Sequence, residues 1–133
     1  MRYLIDTNVC IDYLQGMPYV EPLLRSLSND GKQRLLISLA TYGELLAGIP
    51  YARDPHASQQ GLDALLAGMR ILPLSRPIVE RFARLKAELA HSKQLIGDVD
   101  TLIAATALHH GLTLVTRNRR HFERVPGLKT SYP

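Results

Sequence analysis

Acidic side chains occur at or near the carboxyl ends of predicted strands, where several of them could act on one ligand. The acids are Asp6, Glu44, Asp98 and Asp100, and a further strand brings Thr116, Arg117 and Asn118 to the same edge. Ligands of open α/β sheets bind outside the carboxyl ends of the strands, so we expect these side chains to converge there. Carboxylates that lie close together repel each other, and either one takes up a proton or a cation binds between them.

The types of donor indicate which cation such a site would hold. Carboxylate oxygens are hard donors, and the sequence has no pair of histidines or cysteines at the spacing of a zinc site. Mg²⁺ or Mn²⁺ suits a site made of a few carboxylates, water and a substrate phosphate. Such an ion lowers the pKa of a bound water and neutralises charge on a phosphoryl oxygen. The arrangement therefore favours the hydrolysis of a phosphodiester bond.

The elements that must position these acids alternate between strand and helix. Apolar runs predict strands at Tyr3–Ile5, Leu35–Ser38, Ile71–Leu74, Thr113–Thr116 and Leu128–Ser131. Apolar residues at helical spacing predict helices near residues 9–14, 19–27, 39–49, 59–69, 77–91 and 98–110. This alternation predicts an α/β fold: a single domain over residues 1–133, with a parallel sheet of four to five short strands and helices on both faces.

Individual residues refine this plan. Ser38 and Ser75 are predicted helix N-caps, and Gly111 is the predicted terminator of the helix before the fourth strand. Pro73 cannot donate a hydrogen bond to a neighbouring strand, so its strand is predicted at an edge of the sheet. Cys10 lies in the apolar stretch of the first helix and is interpreted as a small core residue.

The composition is that of one ordinary globular domain. The chain has 133 residues, of which 46% are hydrophobic and 21% are charged, and this length is enough for a core. The apolar runs are too short to span a membrane, and the start of the chain has no features of a signal peptide. The single cysteine excludes an intrachain disulfide, and we expect a cytoplasmic protein that does not enter a membrane.

Each acid also has a purely structural interpretation. Asp6 could end a strand and begin a turn. The stretch Thr41–Glu44 matches a capping box, although the apolar stripe that precedes it makes Ser38 the better cap. Asp98 and Asp100 could each interact with the positive end of a helix dipole.

A basic stretch from Arg117 to Arg124 follows a core strand and lies beside the proposed acids. Charge runs are commonly solvated faces. The position of this one favours contacts between Arg117, Arg119 and Arg120 and the phosphates of a nucleic acid. The net charge of +4 permits such a partner, whereas the lack of Trp and the presence of only six Tyr and two Phe argue against a base-stacking platform.

Five stretches of the sequence resemble the PIN-domain family and, within it, the VapC toxins of bacterial toxin–antitoxin pairs. They are LIDTN (residues 4–8), ISLATYGEL (37–45), IGDVDTLIAATA (96–107), GLTLVTRN (111–118) and FERVPGL (122–128). Each stretch is weak alone, but the five occur in the family's order and extend over nearly the whole chain. The resemblance implies a PIN fold and a metal-dependent ribonuclease.

The resemblance also implies which residues carry the reaction. Asp6, Glu44 and Asp100 match the family's first three acids, which are expected to hold Mg²⁺, or Mn²⁺ in its place. Asn118 falls near the position where many members carry a fourth acid, and Asp98 is an additional candidate ligand. The residues that resemble those orienting the acids or the substrate are Thr7, Asn8 and Thr116.

The partners that the resemblance implies are a cognate antitoxin, an RNA substrate and a second copy of the chain. Family antitoxins bind DNA through a domain of their own and cover the active site of the toxin. Contact with DNA is therefore expected only through the antitoxin. Family substrates are structured RNAs, often transfer RNAs, and the sequence does not distinguish among them.

Two other functions stay open from the residues alone. A phosphoryl group accepted by Asp6 would make the chain a phosphatase or a signalling receiver. Such a phosphatase has Asp two positions after the first, but position 8 is Asn. A receiver has a lysine just after a late strand, but Arg117 follows Thr116 here, so both differences argue against this class. A non-catalytic module that binds RNA or protein would leave the clustered acids unexplained, because their repulsion costs stability unless a cation binds.

Overall fold

One parallel sheet of five strands forms the centre of the computed structural model, which describes residues 2–133. The strands are β1 (Tyr3–Ile5), β2 (Leu35–Ser38), β3 (Met69–Leu72), β4 (Thr113–Val115) and β5 (Lys129–Ser131). Their order across the sheet is β3-β2-β1-β4-β5, and every neighbouring pair is parallel. The predicted α/β class and the predicted sheet of four to five parallel strands are confirmed.

Helices connect the strands and cover both faces of the sheet. They are α1 (Thr7–Leu14), α2 (Val20–Leu27), α3 (Leu39–Gly48), α4 (Pro55–Ala67), α5 (Arg76–His91), α6 (Asp98–His110) and α7 (Arg119–Phe122), with a short 3₁₀ helix at Ile49–Tyr51. None of the helices within residues 2–133 is long and apolar enough to cross a membrane.

Alternate residues of β1, β2 and β4 enter two separate cores. Leu4, Leu36 and Leu114 pack against α5, α6 and α7 on one face. Ile5 and Val115 pack against the face that α1 to α4 cover, where Cys10 is also buried. Side chains along a strand point alternately to opposite faces, so a sheet covered on both sides needs strands that are apolar at every position.

The strand order reverses beside β1. The chain moves outward from β1 through β2 to β3, and then returns to place β4 on the other side of β1. Such a switch point opens a crevice outside the carboxyl ends of the two central strands. Ile5 of β1 pairs with Val115 of β4, so the next residues, Asp6 and Thr116, emerge side by side at this crevice.

The boundary between α4 and β3 differs from the prediction. The helix predicted over residues 59–69 begins earlier, because the Asp54 side chain accepts a hydrogen bond from the Ala57 amide and Pro55 occupies the first turn. It ends before Gly68, and Met69 pairs with Leu35 as the first residue of an edge strand. The edge position is confirmed, whereas the predicted strand Ile71–Leu74 begins and ends two residues too late. Pro73 lies outside it.

Two other local expectations need correction. No helix was predicted in the basic stretch, yet it contains α7, which forms because Phe122 is buried in the core. Ser75 occupies the N-cap position of α5, but its side chain makes no capping hydrogen bond. The cap at Ser38 and the left-handed Gly111 that ends α6 are as predicted.

Candidate functional site

Asp6 lies at the switch point between β1 and β4. It is 3% exposed, and its amide donates to the Val115 carbonyl at 2.9 Å. The Thr116 hydroxyl donates to Asp6 Oδ2 at 2.7 Å. The other carboxylate oxygen, Oδ1, is buried and has no hydrogen-bond partner in the structure. One oxygen of Asp6 is therefore held in place, and the other is left for a ligand.

The environment of Asp6 disfavours its ionised form. The pKa of Asp6 is raised from 3.8 to about 6, chiefly by burial and also by the charges of Asp100 and Glu44, against the lowering effects of hydrogen bonds from the Thr116 hydroxyl and the Thr7 backbone. The effect of Asp100 and Glu44 places these two carboxylates within electrostatic reach of Asp6. A bound cation would reverse the effect, because a positive charge favours the ionised form.

Glu44 reaches the site through hydroxyl groups. Its Oε1 lies 2.6 Å from Thr7 Oγ1, and Thr7 Oγ1 also lies 3.1 Å from Thr41 Oγ1. A hydroxyl has a single proton, so Thr7 donates to Glu44 and accepts from Thr41. Thr41 is fully buried and belongs to the first turn of α3, which Ser38 caps. The N-terminus of α3 therefore fixes the orientation of Thr7, and Thr7 orients the acid.

Asp100 is in the first turn of α6 and contacts a histidine that the sequence analysis did not single out as a site residue. Its Oδ2 lies 2.9 Å from Nδ1 of His121, which in turn lies 2.9 Å from the Asn118 side-chain nitrogen. His121 is in α7, which is also the element that the sequence did not predict. The contact joins Asp100 to the segment after β4, and no spacing in the sequence indicated it.

Asp98, the additional candidate ligand, has a different partner. Its carboxylate lies 2.9 Å from Lys86 Nζ of α5, and both side chains are well exposed. An exposed pair of this kind contributes little to stability. Lys86 nevertheless neutralises the Asp98 carboxylate, so Asp100 is the better placed of the two acids to bind a metal ion.

Two asparagines, Asn8 and Asn118, contact the Thr116 hydroxyl. The Asn8 side-chain nitrogen lies 3.4 Å from Thr116 Oγ1, and the Asn118 amide donates to the same oxygen at 2.9 Å. Asn8 Oδ1 accepts from the Arg117 amide at 3.3 Å. Of the three predicted orienting residues, Thr7 and Thr116 each contact an acid, and Asn8 contacts Thr116.

The three arginines have different surroundings. The Arg117 guanidinium is paired with Asp12 of α1. The Arg119 guanidinium lies 4.3 Å from the centre of the Tyr132 ring, and Arg120 is exposed. Arg119 and Arg120 present their charge at the surface next to the segment that carries Asn118. Asp12 and its contacts were not foreseen, because the apolar pattern of α1 gave no sign that Asp12 is buried.

The donor set fits a divalent cation of the hard type. Carboxylate oxygens suit Mg²⁺ or Mn²⁺, and the protein leaves the buried Oδ1 of Asp6 without a hydrogen-bond partner, as a metal ligand requires. Among residues 2–133, no three His, Cys, Asp or Glu side chains form a ready-made ligand set. A cation would therefore be held by few protein oxygens and would keep water in its shell, as Mg²⁺ usually does.

Comparisons with known proteins show what the whole chain is similar to. The sequence model of the PIN domain matches residues 3–128. Ribonuclease VapC2 of Haemophilus influenzae (strain Rd) is 35% identical over 130 residues, which cover 98% of this chain and 96% of that protein. The tRNA(fMet)-specific endonuclease VapC of Shigella flexneri is 29% identical over 130 residues, with the same two coverages.

A solved structure shows the same fold. VapBC2 from Rickettsia felis, bound to a DNA fragment from their promoter, superposes with a TM-score of 0.91 and 28% identity. The match covers 100% of this chain and 99% of that one. The likeness therefore extends over all the elements that position the acids.

Proposed function

The chain belongs to the PIN domain family and, within it, to the VapC-type ribonucleases, and we propose that it hydrolyses phosphodiester bonds of structured RNA with Mg²⁺ at Asp6, Glu44 and Asp100. Mn²⁺ is expected to substitute. The observation that carries this proposal is the buried, unpartnered Oδ1 of Asp6, which lies within electrostatic reach of the other two acids. When bound, a divalent ion supplies an activated water and neutralises charge on the phosphoryl group.

Other residues of the chain orient the three acids or are proposed to bind the RNA. Thr116 fixes one oxygen of Asp6, Thr7 orients Glu44, and His121 contacts Asp100. Asn118 provides an amide where many PIN domains have a fourth acid, and Asp98 is a weaker candidate ligand because Lys86 pairs with it. The exposed Arg119 and Arg120 are proposed to bind the RNA backbone, which contributes affinity without sequence preference.

As a VapC-type toxin, the protein acts with a cognate antitoxin. The similar Rickettsia felis structure is a VapBC2 complex on promoter DNA, and we propose that this chain likewise contacts DNA only through its antitoxin. A transfer RNA is the proposed substrate, because the Shigella flexneri relative is a tRNA(fMet)-specific endonuclease. We further propose a single domain over residues 1–133, a homodimer and a cytoplasmic location.

A cleavage assay with sequencing of the RNA ends tests the reaction. The purified protein, freed of any antitoxin under denaturing conditions and refolded, is incubated with total cellular RNA in Mg²⁺, Mn²⁺ or EDTA. Asp6→Asn, purified in the same way, is the matched control for contaminating nucleases. We expect discrete new ends that require both the metal and Asp6.

Two results would contradict the proposal. Equal cleavage by Asp6→Asn would remove Asp6 from the mechanism. RNA binding without cleavage under any divalent ion would favour the interaction module instead. Incubation with a phosphoryl donor covers the remaining alternative, since a stable acyl-phosphate on Asp6 would indicate a phosphatase or receiver.

A further inference from the structure

An ion pair between a buried carboxylate and a half-exposed arginine lies next to the site and takes no part in the reaction proposed above. Asp12 of α1 has a side chain that is 8% exposed. Its Oδ2 lies 2.6 Å from Arg117 Nε and its Oδ1 lies 3.3 Å from Arg117 Nη2. The Tyr19 hydroxyl donates to the same Oδ2. This fork is the strong, directional form of an arginine–carboxylate contact.

The protonation states of Tyr19 and Arg117 keep this contact intact. Burial and the hydrogen bond to Asp12 raise the pKa of Tyr19 to about 12, so its hydroxyl remains a donor. The hydrogen bond to Asp12 raises the pKa of Arg117, which stays charged. A buried carboxylate that loses such partners is strongly destabilising. The half-exposed Arg117 side chain can therefore leave Asp12 for an RNA phosphate only at a large cost.

Arg117 lies in the middle of the segment that supplies Thr116 and Asn118. This segment has no regular secondary structure and joins β4 to α7. Its backbone is tied to α1 by the Arg117 amide, which donates to Asn8 Oδ1. Asn8 and Asp12 are one turn apart on the same face of α1. Arg117 is therefore attached to α1 twice, by its backbone at Asn8 and by its side chain at Asp12.

We propose that Arg117 is a positioning residue of this site and not an RNA-binding residue. The Asp12–Arg117 pair, with Tyr19, fixes the segment 116–118 on α1, so that the Thr116 hydroxyl stays on Asp6 Oδ2 and Asp6 Oδ1 faces the ligand. This inference deepens the proposed nuclease function and rests on it. It replaces the expectation, drawn from the basic run alone, that Arg117 contacts phosphate.

Arg120 provides the matched comparison. It is a surface arginine three residues further along the chain, exposed and proposed to meet RNA. Removing a phosphate contact lowers affinity and reduces the dependence of binding on salt. Removing a positioning contact changes the geometry of the acids and leaves the salt dependence as it was. The two roles therefore give opposite signatures in the same assay.

The first experiment compares Arg117→Gln with Arg120→Ala on unfractionated transfer RNA. We expect Arg117→Gln to lower kcat by about 10- to 100-fold with KM nearly unchanged, because a small misplacement of reacting groups costs this much. Affinity for transfer RNA in EDTA, followed from about 50 to about 200 mM salt, should keep its slope. For Arg120→Ala we expect a higher KM and a slope reduced by about 0.7 to 0.9.

Variants of Asp12 test whether the pair acts as a unit. Asp12→Asn should reproduce the loss of kcat in Arg117→Gln. The double variant should lose no more than either single variant, because both remove one interaction. It should also be more stable than Arg117→Gln alone, since no unpaired buried carboxylate is left. If Arg117→Gln does not fold, Arg117→Lys replaces it, because lysine keeps the charge but cannot form the two-pronged contact with Asp12. Arg117→Lys should lower kcat without changing the salt dependence of RNA binding.

Binding of Mn²⁺ to the protein without RNA separates this inference from the nuclease proposal. Calorimetry should give an affinity about tenfold weaker for Arg117→Gln and for Thr116→Val, as for residues that orient metal ligands, and an unchanged affinity for Arg120→Ala. If the wild-type protein cleaves no RNA but shows this pattern, the reaction fails and the positioning role stands. A salt slope reduced in Arg117→Gln as much as in Arg120→Ala, with kcat and Mn²⁺ affinity unchanged, would overturn the positioning role.

Discussion

Asp6 shows how burial and function oppose each other within one residue. Its carboxyl group has a pKa raised to about 6, chiefly by burial, whereas in the unfolded chain it titrates near 3.8. Between these two values the folded protein binds more protons at Asp6 than the unfolded chain does. The free energy of unfolding therefore falls as the pH rises through this range. At neutral pH the metal-free protein bears the full cost of a buried charge.

Replacing Asp6 by Asn should therefore stabilise the metal-free protein. At pH 7.5 in EDTA we expect Asp6→Asn to raise the free energy of unfolding by about 1–3 kcal/mol, from a difference of roughly two pKa units. The gain should shrink towards pH 4, where Asp6 of the folded wild type is protonated. Urea unfolding at both pH values measures the difference.

The exposed acid Asp63 of α4 supplies the control for this prediction. Asp63→Asn removes a carboxylate that accepts a hydrogen bond from Gln59 at the surface, so no gain of this size is expected at either pH. A wild-type protein that is more stable than Asp6→Asn at pH 7.5 in EDTA would contradict the assigned cost of burying Asp6.

At the scale of elements, helix α3 has to present Thr41 and Glu44 to Thr7. Ser38 is fully buried at its N-cap and accepts a hydrogen bond from the Ala40 amide at 3.1 Å. Ser75 has the same position at the start of α5 without such a bond. The two serines therefore form a natural pair for measuring what the capping bond contributes.

We expect Ser38→Ala to lower the free energy of unfolding by about 1 kcal/mol, within the usual range for a lost N-cap. Ser75→Ala should change it by less than about 0.5 kcal/mol, as surface substitutions usually do. Guanidinium unfolding of the two variants beside the wild type makes the comparison. Equal losses for both would mean that the Ser38 hydroxyl contributes through packing and not through capping.

The element boundaries also show where a sequence pattern is not enough to predict a helix or a strand. Met69 fits the apolar face of a helix as well as a buried strand, and only its pairing with Leu35 decides between them. Phe122 is a single aromatic residue in a polar run, and α7 forms because that side chain reaches the core. Ser38 and Gly111, by contrast, were predictable because caps depend on local chemistry.

At the scale of the whole molecule, the strand order creates the site. Asp6 and Thr116 are 110 residues apart in sequence, yet they share a hydrogen bond because β1 and β4 are neighbours. Alternating strands and helices predicted that carboxyl ends of strands would converge. They could not predict which side chains would pair there. The contacts of His121 with Asp100 and of Arg117 with Asp12 depend on the path of the chain after β4, for which the sequence carries no periodic signal.

A divalent ion should bind these separate elements together. Asp6 follows β1, Glu44 lies in α3 and Asp100 lies in α6, so an ion held by all three stabilises the folded chain against the unfolded one. At about 100 times its dissociation constant, Mn²⁺ should raise the free energy of unfolding by about 2.7 kcal/mol. That corresponds to an increase in Tm on the order of 10 °C.

The same measurement distinguishes the two acids of α6. Asp6→Asn and Asp100→Asn should lose most of the Mn²⁺-dependent increase in Tm, because each removes a charged ligand. Asp98→Asn should retain it, since the Asp98 carboxylate is paired with Lys86. Differential scanning fluorimetry with Mn²⁺ and with EDTA gives the increase in Tm for the wild type and for the three variants. If Asp98→Asn lost the Mn²⁺-dependent increase in Tm and Asp100→Asn kept it, the roles of these two acids would be exchanged. If Asp6→Asn kept the full increase, the ion would bind elsewhere on the molecule.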